Sequence, residues 1–358
     1  MQHILQQFRE RIAAAVRSKT ALRLRGGGSK DWYGQASAGE VLDTRPYRGV
    51  IAYEPSELVV TVRCGTPLAE LEQVLARQNQ MLAFEPPHFG PAATVGGMLA
   101  CALSGPRRHS AGAVRDFVLG AVLLDGKGEV LHFGGQVMKN VAGYDVSRLL
   151  AGSLGTLGLI LEVSLKVLPI PVAETSLRFA CSQVEALARL NAWGGQPLPI
   201  SASAWEDGAL TLRLSGAAAA VKAARMQLGG EAVEQASTFW AGLREQDAAF
   251  FAPDDEADAD AGLWRLALPT IAPPLALAGP QLIEWGGGQR WLRSTADAAS
   301  IRAVAAQHGG HATLFKRGDK GAGVFHPLAP VLATIHRRLK SAFDPAGIFN
   351  PGRMYGNF

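Results

Sequence analysis

The chain has 358 residues, of which 48% are hydrophobic and 18% are charged, and its net charge is +4. This composition excludes a largely disordered chain, and the length favours two compact domains. Lys and Arg are scattered along the sequence, so we expect no nucleic-acid partner, whereas a small anionic substrate would suit the mild positive charge.

Helices and strands alternate in the first 171 residues. Apolar periodicity and turn residues predict helices over 3–18, 66–78 and 95–103. The same patterns predict strands over 21–25, 50–53, 58–62, 81–84 and 157–168, and a hairpin of 117–124 with 129–133. Pro169 and Pro171 stop the last strand, so we expect the first domain to cover 1–171.

The composition shifts after residue 171, and the pattern predicts two similar units of strands and helices there. The predicted strands are 177–180, 201–205, 210–214, 263–268, 282–285, 290–293 and 311–315. The predicted helices are 182–193, 217–228 and 295–308, with Ser182 and Thr295 at their starts. This order favours an α+β cap domain of ferredoxin-like character over 172–328. A final helix over 329–343 opens the C-terminal segment 329–358, and the acidic run 254–260 is typical of an exposed loop.

The cysteines and the first residues bear on redox chemistry and location. Cys64, Cys101 and Cys181 are too few and too far apart for an ordinary iron–sulfur cluster. Charged residues interrupt 1–20, unlike the apolar core of a signal peptide, and no uncharged apolar stretch of 18 residues predicts a membrane span. We therefore expect a cytoplasmic protein, with peripheral membrane association left open.

The first of three glycine clusters follows the predicted strand 21–25. Its three glycines, at 26–28, permit positive φ and let backbone N–H groups converge on an anion. Ser29 adds a hydroxyl donor, and Arg25 and Lys30 add positive charge. The spacing matches neither a Walker loop nor GxGxxG, and an ordinary glycine turn would use the same residues.

Two further clusters precede the domain boundary. One runs from Thr94 to Gly105 and is a helix-like stretch of small residues that a flat ring or a pyrophosphate could approach closely. The other runs from Gly152 to Gly158, with a glycine at every third position. Close packing would explain each cluster alone, but the three together favour a dinucleotide site.

The order of these motifs resembles the FAD-binding domain of the vanillyl-alcohol oxidase and p-cresol methylhydroxylase superfamily. The segments that carry the resemblance are RGGGSK at 25–30, TVGGMLACALSGPRR at 94–108, VRDFVLGAVLLDGKGEV at 114–130, GYDVSRLLAGSLGTLGLILEVSLKVLPIP at 143–171 and FDPAGIFNPGRMY at 343–355. A further segment, EWGGGQRW at 284–291, is similar to one narrower group, the FAD-binding E subunits of bacterial glycolate oxidases. The resemblance is strong over 20–171 and at the C-terminus, and weaker between them.

This resemblance implies a two-part FAD-binding domain to which the C-terminal tail returns from the cap. It also implies non-covalent FAD, because the first loop lacks the His through which some relatives attach the flavin. The residues that would bind FAD are Arg25, Gly26, Gly27, Gly28, Ser29, Lys30, Thr94, Gly96, Gly97, Ser104, Gly105, Asp116, Tyr144, Gly152, Gly155, Thr156, Gly158 and Ile160.

The resemblance further implies an FAD-dependent oxidoreductase subunit that oxidises glycolate, a small 2-hydroxy acid, to glyoxylate. Its partners would be a second FAD-containing subunit and an iron–sulfur subunit, which would take the electrons that this chain has no cluster to carry. Two alternatives stay open: a free-standing FAD-dependent 2-hydroxy-acid dehydrogenase, and a flavin-binding scaffold without turnover.

Candidates for the chemistry itself are few. Oxidation of a 2-hydroxy acid needs a base for the hydroxyl proton and a cation for the carboxylate. His88 and His311 are candidate bases, and Arg290 and Arg317 are candidate carboxylate partners, although no spacing requires these roles. The run from His308 to His311 lacks the acidic partner of the metal motif in related enzymes, so we expect a turn there and no metal. That missing motif favours activity that depends on partner subunits.

Overall fold

Two β-sheets organise the chain, one in each half. The computed structural model describes residues 1–135, 145–252 and 261–356. The elements of the first half are α1 (Gln2–Ser18), β1 (Leu22–Arg25), β2 (Glu40–Asp43), β3 (Val50–Glu54), β4 (Val59–Arg63), α2 (Leu68–Ala76), β5 (Gln80–Met81), α3 (Val95–Cys101), α4 (Arg108–Ala111), β6 (Val118–Leu124), β7 (Val130–Gly134), α5 (Val146–Leu149), β8 (Leu159–Lys166) and β9 (Leu168–Pro169).

The first sheet is antiparallel, with the strand order β3-β4-β8-β6-β7. Its central strand, β8, is buried along most of its length on both faces, which explains its nearly continuous apolar sequence. Leu68, Leu71 and Leu75 of α2 and Met98 of α3 pack in the same core. The second glycine cluster contains α3, and the third leads directly into β8, so this core positions both clusters.

A smaller layer lies beside this sheet. The parallel pair β1 and β2 packs with Phe8 and Ile12 of α1. The C-terminal tail adds to the same layer, because the Leu22 N–H donates to the Ile348 carbonyl (2.7 Å) and the Asn350 N–H donates to the Leu22 carbonyl (2.9 Å). The end of the chain thus lies against the strand that precedes the first glycine cluster.

The second half is built on an eight-stranded antiparallel sheet with the order β13-β10-β12-β11-β15-β16-β14-β17. Its elements are β10 (Ala173–Ala180), α6 (Gln183–Gly194), β11 (Ile200–Glu206), β12 (Ala209–Gly216), α7 (Ala218–Leu228), β13 (Glu231–Ala232), α8 (Ala236–Glu245), β14 (Gly262–Ala267), β15 (Gln281–Glu284), β16 (Gln289–Ser294), α9 (Ala298–Gln307), β17 (His311–Lys316) and α10 (Pro330–Phe343). This mixture of helices with antiparallel strands confirms the α+β prediction. No helix in the described ranges is both long and apolar enough to cross a membrane.

A buried network of charges joins the two halves. The Glu85 carboxylate accepts hydrogen bonds from the Arg107 backbone N–H (2.9 Å) and from the Arg213 guanidinium (2.9 Å), and Arg107 also pairs with Glu174 (3.0 Å). Burial alone would raise the pKa of Glu85, but Arg213 and Arg107 outweigh it and hold that pKa below its ordinary value. Since breaking a buried pair is costly, this network holds β10 and β12 of the second half against the loop that contains Glu85.

Most predicted elements are confirmed, and the exceptions have local causes. Ser182 caps α6 as predicted, in a capping box with Glu185. The helix predicted from Thr66 begins at Leu68, because the Thr66 hydroxyl instead donates to the Arg63 carbonyl and accepts from the Gly49 N–H. Asp297, not Thr295, caps α9.

Three further predictions concern loops. The strand predicted over 81–84 is reduced to Gln80–Met81, because residues 82–84 turn toward the second glycine cluster. The turn predicted between His308 and His311 is confirmed: it lies between α9 and β17 and includes Gly309 at φ +73°. The acidic run 254–260 lies outside the described residues.

Candidate cofactor-binding site

The first glycine cluster packs closely against the chain that leads into α3. A Cβ on Gly27 would lie 1.4 Å from the Ala92 carbonyl oxygen, and one on Gly26 would lie 2.3 Å from Thr94 Oγ1. Gly28 has φ +76°, a conformation that favours glycine. Close packing of the loop therefore requires these glycines. The same packing fixes the direction of the peptide groups in the loop.

This loop presents a run of backbone donors. Within the part of the chain that the structure describes, none of the N–H groups of 26–30 donates a hydrogen bond. Arg25 and Lys30 belong to the same loop, and the Arg353 guanidinium donates to the carbonyls of Lys30 (3.2 Å) and Asp31 (3.0 Å). Arg25 is paired with the Asp31 carboxylate (2.6 Å), which leaves Lys30 and Arg353 as the cations beside the unpaired N–H groups. Adjacent unpaired N–H groups beside cations are suited to an anion such as a diphosphate.

Two grooves meet at this loop. The first holds about 580 Å³ of empty space and is lined by the loop from Arg23 to Asp31, with Ser37, Thr94, Gly97, Ala100, Cys101, Leu154, Asn350 and Arg353. The second holds about 410 Å³ and continues along Thr44, Cys64, Gly96, Gly155, Gly158, Leu159 and Ile160. All three glycine clusters therefore contribute to one continuous surface, as the sequence pattern predicts.

The second cluster begins α3. The Thr94 hydroxyl accepts a hydrogen bond from the Gly97 N–H (3.2 Å), a standard N-terminal cap. A Cβ on Gly96 would lie 2.8 Å from the Cys64 Cβ, so this glycine allows α3 to pack on the sheet. Gly97 faces both grooves and would bring a Cβ close to Thr94 Oγ1 alone (3.2 Å). Gly97 is thus the residue of this cluster whose missing side chain leaves the groove open.

The third cluster is held by the C-terminal tail. Asn350 Oδ1 accepts from the Leu24 N–H (2.9 Å), and Asn350 Nδ2 donates to the Leu154 carbonyl (2.6 Å). Gly155 has φ +70°, and a Cβ there would lie 2.7 Å from Asn350 Nδ2. Gly152 and Thr156 lie on the other side of the same turn and line a separate cleft of about 850 Å³.

Buried polar atoms without partners test whether a dinucleotide fits here. Arg23 Nε, Ser37 Oγ, Ser104 Oγ and Ser153 Oγ are buried and find no hydrogen-bond partner among the described residues. Arg23 and Ser37 line the first groove, Ser104 precedes Gly105, and Ser153 lines the cleft beside the third cluster. Because buried polar groups in native proteins are nearly always paired, the Arg23 and Ser37 atoms of the first groove fit a site that polar ligand atoms complete.

Among the described residues predicted to bind the cofactor, Ser104, Gly105 and Asp116 do not line the two grooves. The cap covers Gly105, whose carbonyl accepts a hydrogen bond from Trp285 Nε1 (3.1 Å). The Asp116 carboxylate accepts from the Ala113 N–H (2.8 Å), so its observed contact is with its own turn. Tyr144 lies outside the described residues.

The two candidate arginines differ in how far their side chains are already hydrogen-bonded within the protein. The Arg290 side chain is buried and donates to the carbonyls of Gly287 (3.3 Å), Ala272 and Pro273, which argues against a role in holding a substrate carboxylate. Burial lowers the pKa of Arg290 to about 10, so the guanidinium stays charged at neutral pH. Arg317 Nη2 donates to the Phe251 carbonyl (3.3 Å), while its buried Nε has no partner among the described residues.

The candidate bases lie in two different places. His88 Nε2 is 2.9 Å from the Glu72 carboxylate, and the His88 carbonyl accepts from Lys30 Nζ (3.1 Å), which places this residue next to the first glycine cluster. His311 begins β17, where burial together with Arg265 and His326 lowers its pKa. Neither histidine lines the two grooves.

Several residues of the site escape prediction from sequence. Arg23, Ser37, Asn350 and Arg353 line the first groove but were not among the predicted residues. A signal was present for two of them, since Asn350 and Arg353 fall in the C-terminal segment that carries the family resemblance.

A loop with unpaired N–H groups beside glycine-rich turns, on a domain completed by the C-terminal tail, fits the two-part FAD-binding domain that the sequence resemblance implies. Residues 5–134 match the family described as FAD binding domain, and residues 326–354 match the C-terminal domain of FAD linked oxidases. The chain is thus an FAD-binding oxidoreductase subunit of the vanillyl-alcohol oxidase type, and the predicted cofactor and fold class are confirmed.

Sequence identity to two named relatives places the chain in a narrower family. The chain is 50% identical over 350 residues to the glycolate oxidase subunit GlcE of Escherichia coli, covering 98% of this chain and 97% of that protein. It is 30% identical over 152 residues to the glycolate oxidase subunit GlcD of Bacillus subtilis, covering 42% of this chain and 32% of that one. The chain belongs to the GlcE family of glycolate oxidase subunits.

A solved structure supports the same fold. Alkyldihydroxyacetonephosphate synthase superposes with a TM-score of 0.65 and 17% identity, covering 96% of this chain and 74% of that one. At this level of identity the likeness concerns the fold alone.

Proposed function

We propose that this chain is the FAD-binding subunit of a glycolate oxidase complex and takes part in the oxidation of glycolate to glyoxylate. The observation that carries this proposal is the identity of 50% along 98% of the chain to a subunit named for that activity. The unpaired N–H groups of 26–30 and the surrounding cations support the same role, because they suit the diphosphate of FAD.

The proposed FAD site extends over both grooves. The diphosphate would lie against 26–30, with Lys30 and Arg353 supplying positive charge and Arg25 lining the same groove. Thr94, Gly96, Gly97, Gly155, Gly158 and Ile160 would line the rest of the cofactor. When bound, FAD supplies the redox chemistry, and the protein supplies binding, orientation and the exclusion of water.

Non-covalent attachment fits the chemistry of the grooves. No histidine lines them in the described ranges, and the thiols that do are those of Cys64 and Cys101. Burial raises the pKa of the Cys101 thiol to about 11 and raises that of Cys64 as well. Since the thiolate is the reactive form, both cysteines are poor nucleophiles at neutral pH.

The composition of the two grooves supports the proposal that activity depends on partner subunits. The residues that line the two grooves come from the chain up to Ile160 and from Asn350 and Arg353, so within the described ranges the cap contributes none of them. Arg290, the more deeply buried carboxylate candidate, is committed to backbone carbonyls. We therefore propose that a second FAD-containing subunit holds glycolate, that an iron–sulfur subunit receives electrons, and that any membrane association occurs through these partners.

The test compares the chain alone with the assembled complex. The protein is purified by itself and after co-expression with its partners, and both samples are examined for flavin absorbance and for glycolate-dependent reduction of a dye. We expect one FAD per chain in both samples, little or no dye reduction by the chain alone, and rapid reduction by the complex. The dye removes the need for an iron–sulfur exit, so a slow reaction with it isolates the missing substrate site.

Each other outcome has a definite meaning. Equal rates for the chain alone and the complex would show a free-standing dehydrogenase. A flavin in this chain that never bleaches while the complex turns over would show a scaffold. A colourless protein that takes up no added FAD would reject the cofactor site itself.

A further inference from the structure

The loop 285–288 of the cap is unusual in its backbone. It joins β15 to β16 in a hairpin, and Trp285, Gly286 and Gly287 all have positive φ, at +53°, +65° and +99°. A left-handed tryptophan is strained, and such strain persists only where the surrounding structure imposes it. Contacts around the loop must therefore stabilise this conformation, since a simple turn does not require it.

The interior of the hairpin imposes this shape. Glu284 Oε2 accepts from Gln289 Nε2 (2.9 Å) and from Trp291 Nε1 (2.6 Å), and all three side chains are buried. Arg290 holds the other side of the loop through the Gly287 carbonyl and through two carbonyls of the neighbouring segment 272–273. The buried side chains of the motif thus act on the loop and not on a groove.

The loop faces the end of the second glycine cluster. Trp285 Nε1 donates to the Gly105 carbonyl (3.1 Å), and the Arg108 guanidinium lies 4.7 Å from the centre of the Trp285 ring. The Gly286 N–H donates to Ser203 Oγ (3.0 Å). A Cβ on Gly286 would lie 2.9 Å from His109 Nε2, so only glycine lets the loop come this close.

Gly105 has little freedom on its other side. Its N–H donates to the Phe84 carbonyl (3.0 Å), and a Cβ there would lie 2.5 Å from the Glu85 carbonyl oxygen. The segment around Gly105 is therefore enclosed between residues 84–85 on one side and Trp285 on the other. The adjoining Ser104 hydroxyl is one of the buried groups that lack a partner among the described residues.

We infer that Trp285 is a positioning residue: it ties the cap to Gly105 and so holds the end of the second glycine cluster, which continues from Ala100 and Cys101 on the wall of the first groove, in the conformation that suits FAD. The inference rests on the proposed FAD site, and it gives the segment EWGGGQRW a role: Glu284, Gln289, Arg290 and Trp291 shape the hairpin that delivers the indole.

The test removes the indole N–H and keeps an aromatic ring. Trp285→Phe loses the hydrogen bond to Gly105, and Trp205→Phe is the matched control, because Trp205 Nε1 donates to the Cys181 carbonyl (2.9 Å) wholly within the cap. We expect Trp285→Phe to bind FAD about three- to tenfold more weakly than wild type, the effect of one lost hydrogen bond. Trp205→Phe should bind FAD as wild type does. At saturating FAD, the visible circular dichroism of the bound flavin should change in Trp285→Phe alone.

Hydrogen exchange of the FAD-free protein supplies a measurement that needs no cofactor. Amides of 103–111 should exchange faster in Trp285→Phe than in wild type or Trp205→Phe. Ser203→Ala, which leaves Trp285 intact and removes the acceptor of the Gly286 N–H, should shift exchange in the same direction and keeps the test available if Trp285→Phe folds poorly. FAD affinity and exchange equal to those of Trp205→Phe would overturn the inference. Wild-type protein that binds no FAD would instead reject the proposed function. The exchange data would still show whether Trp285 holds the segment around Gly105 in place.

Discussion

Asn350 connects β1 to the third glycine cluster and faces both grooves of the proposed site. Its side chain is buried, with Oδ1 accepting from the Leu24 N–H and Nδ2 donating to the Leu154 carbonyl. Its backbone has φ +41°, in the left-handed region that Asn tolerates better than most residues. One side chain thus satisfies two buried backbone groups on segments that are distant in sequence.

Replacing it with Ala should be costly. Asn350→Ala leaves the Leu24 N–H and the Leu154 carbonyl unpaired, at about 1–3 kcal/mol each, and places Ala in a left-handed conformation at roughly 1 kcal/mol. We expect the free energy of unfolding to fall by about 3–7 kcal/mol, a large part of the stability of an ordinary domain. FAD binding should weaken as well, because the turn at Gly155 loses its anchor.

A second substitution separates the two contributions. Asn350→Gly loses the same hydrogen bonds but tolerates the left-handed backbone, so it should be less destabilising than Asn350→Ala by about 1 kcal/mol. Urea unfolding of the FAD-free protein gives the free energies, and a fluorescence titration gives the FAD affinity. An Asn350→Ala protein as stable as wild type would refute the assigned bonds.

Three further predictions concern other parts of the chain. Gly27→Ala should abolish FAD binding, since its Cβ would overlap the Ala92 carbonyl, whereas Gly194→Ala, with open space around it, should titrate normally; full FAD occupancy of Gly27→Ala would contradict the loop geometry. Acid precipitation of the purified protein should release its flavin into the supernatant, and colour kept in the washed pellet would contradict non-covalent binding. Burial raises the pKa of Glu284 to about 7, so its folded carboxyl keeps a proton that the unfolded one releases. Wild type should therefore lose stability relative to Glu284→Gln as the pH rises from about 4.5 to 7, and a constant difference in urea unfolding over this range would refute the shift.

Local patterns predict most of the fold because they act over a few residues. Ser182 and Glu185 lie within one turn of α6, and the alternation of the paired strands needs no distant information. The predictions missed β2, α4, α5, β13 and α8, and two of these illustrate the opposite reason. β2 has four residues and pairs in parallel with β1, while α8 contains Ser237, Thr238 and Gly242 and owes its place to the buried Trp240 and Leu243.

The glycine clusters indicate the site for a reason that differs from the expected one. We expected these glycines to give a ligand access to the backbone, whereas Gly26, Gly27 and Gly96 are required by contacts with Thr94, Ala92 and Cys64. Their location is informative because tight packing of this kind also fixes the direction of the peptide groups. Arg290 shows the converse limit, since no sequence pattern distinguishes an arginine that faces a substrate from one committed to backbone carbonyls.

The first loop separates its acceptors from its donors. The Gly28 carbonyl accepts from the Asp31 N–H, the Ser29 carbonyl from Trp32 Nε1, and the Lys30 carbonyl from the Tyr33 N–H. Arg353, more than three hundred residues away in sequence, adds donors to the carbonyls of Lys30 and Asp31. With the carbonyls of 28–31 satisfied inside the protein and the N–H groups of 26–30 left over, the loop presents its positive ends to the groove. Residues outside the glycine motif thus contribute to the preference for an anion that we propose, and the tail belongs to the proposed binding site through Asn350 and Arg353, which line the first groove.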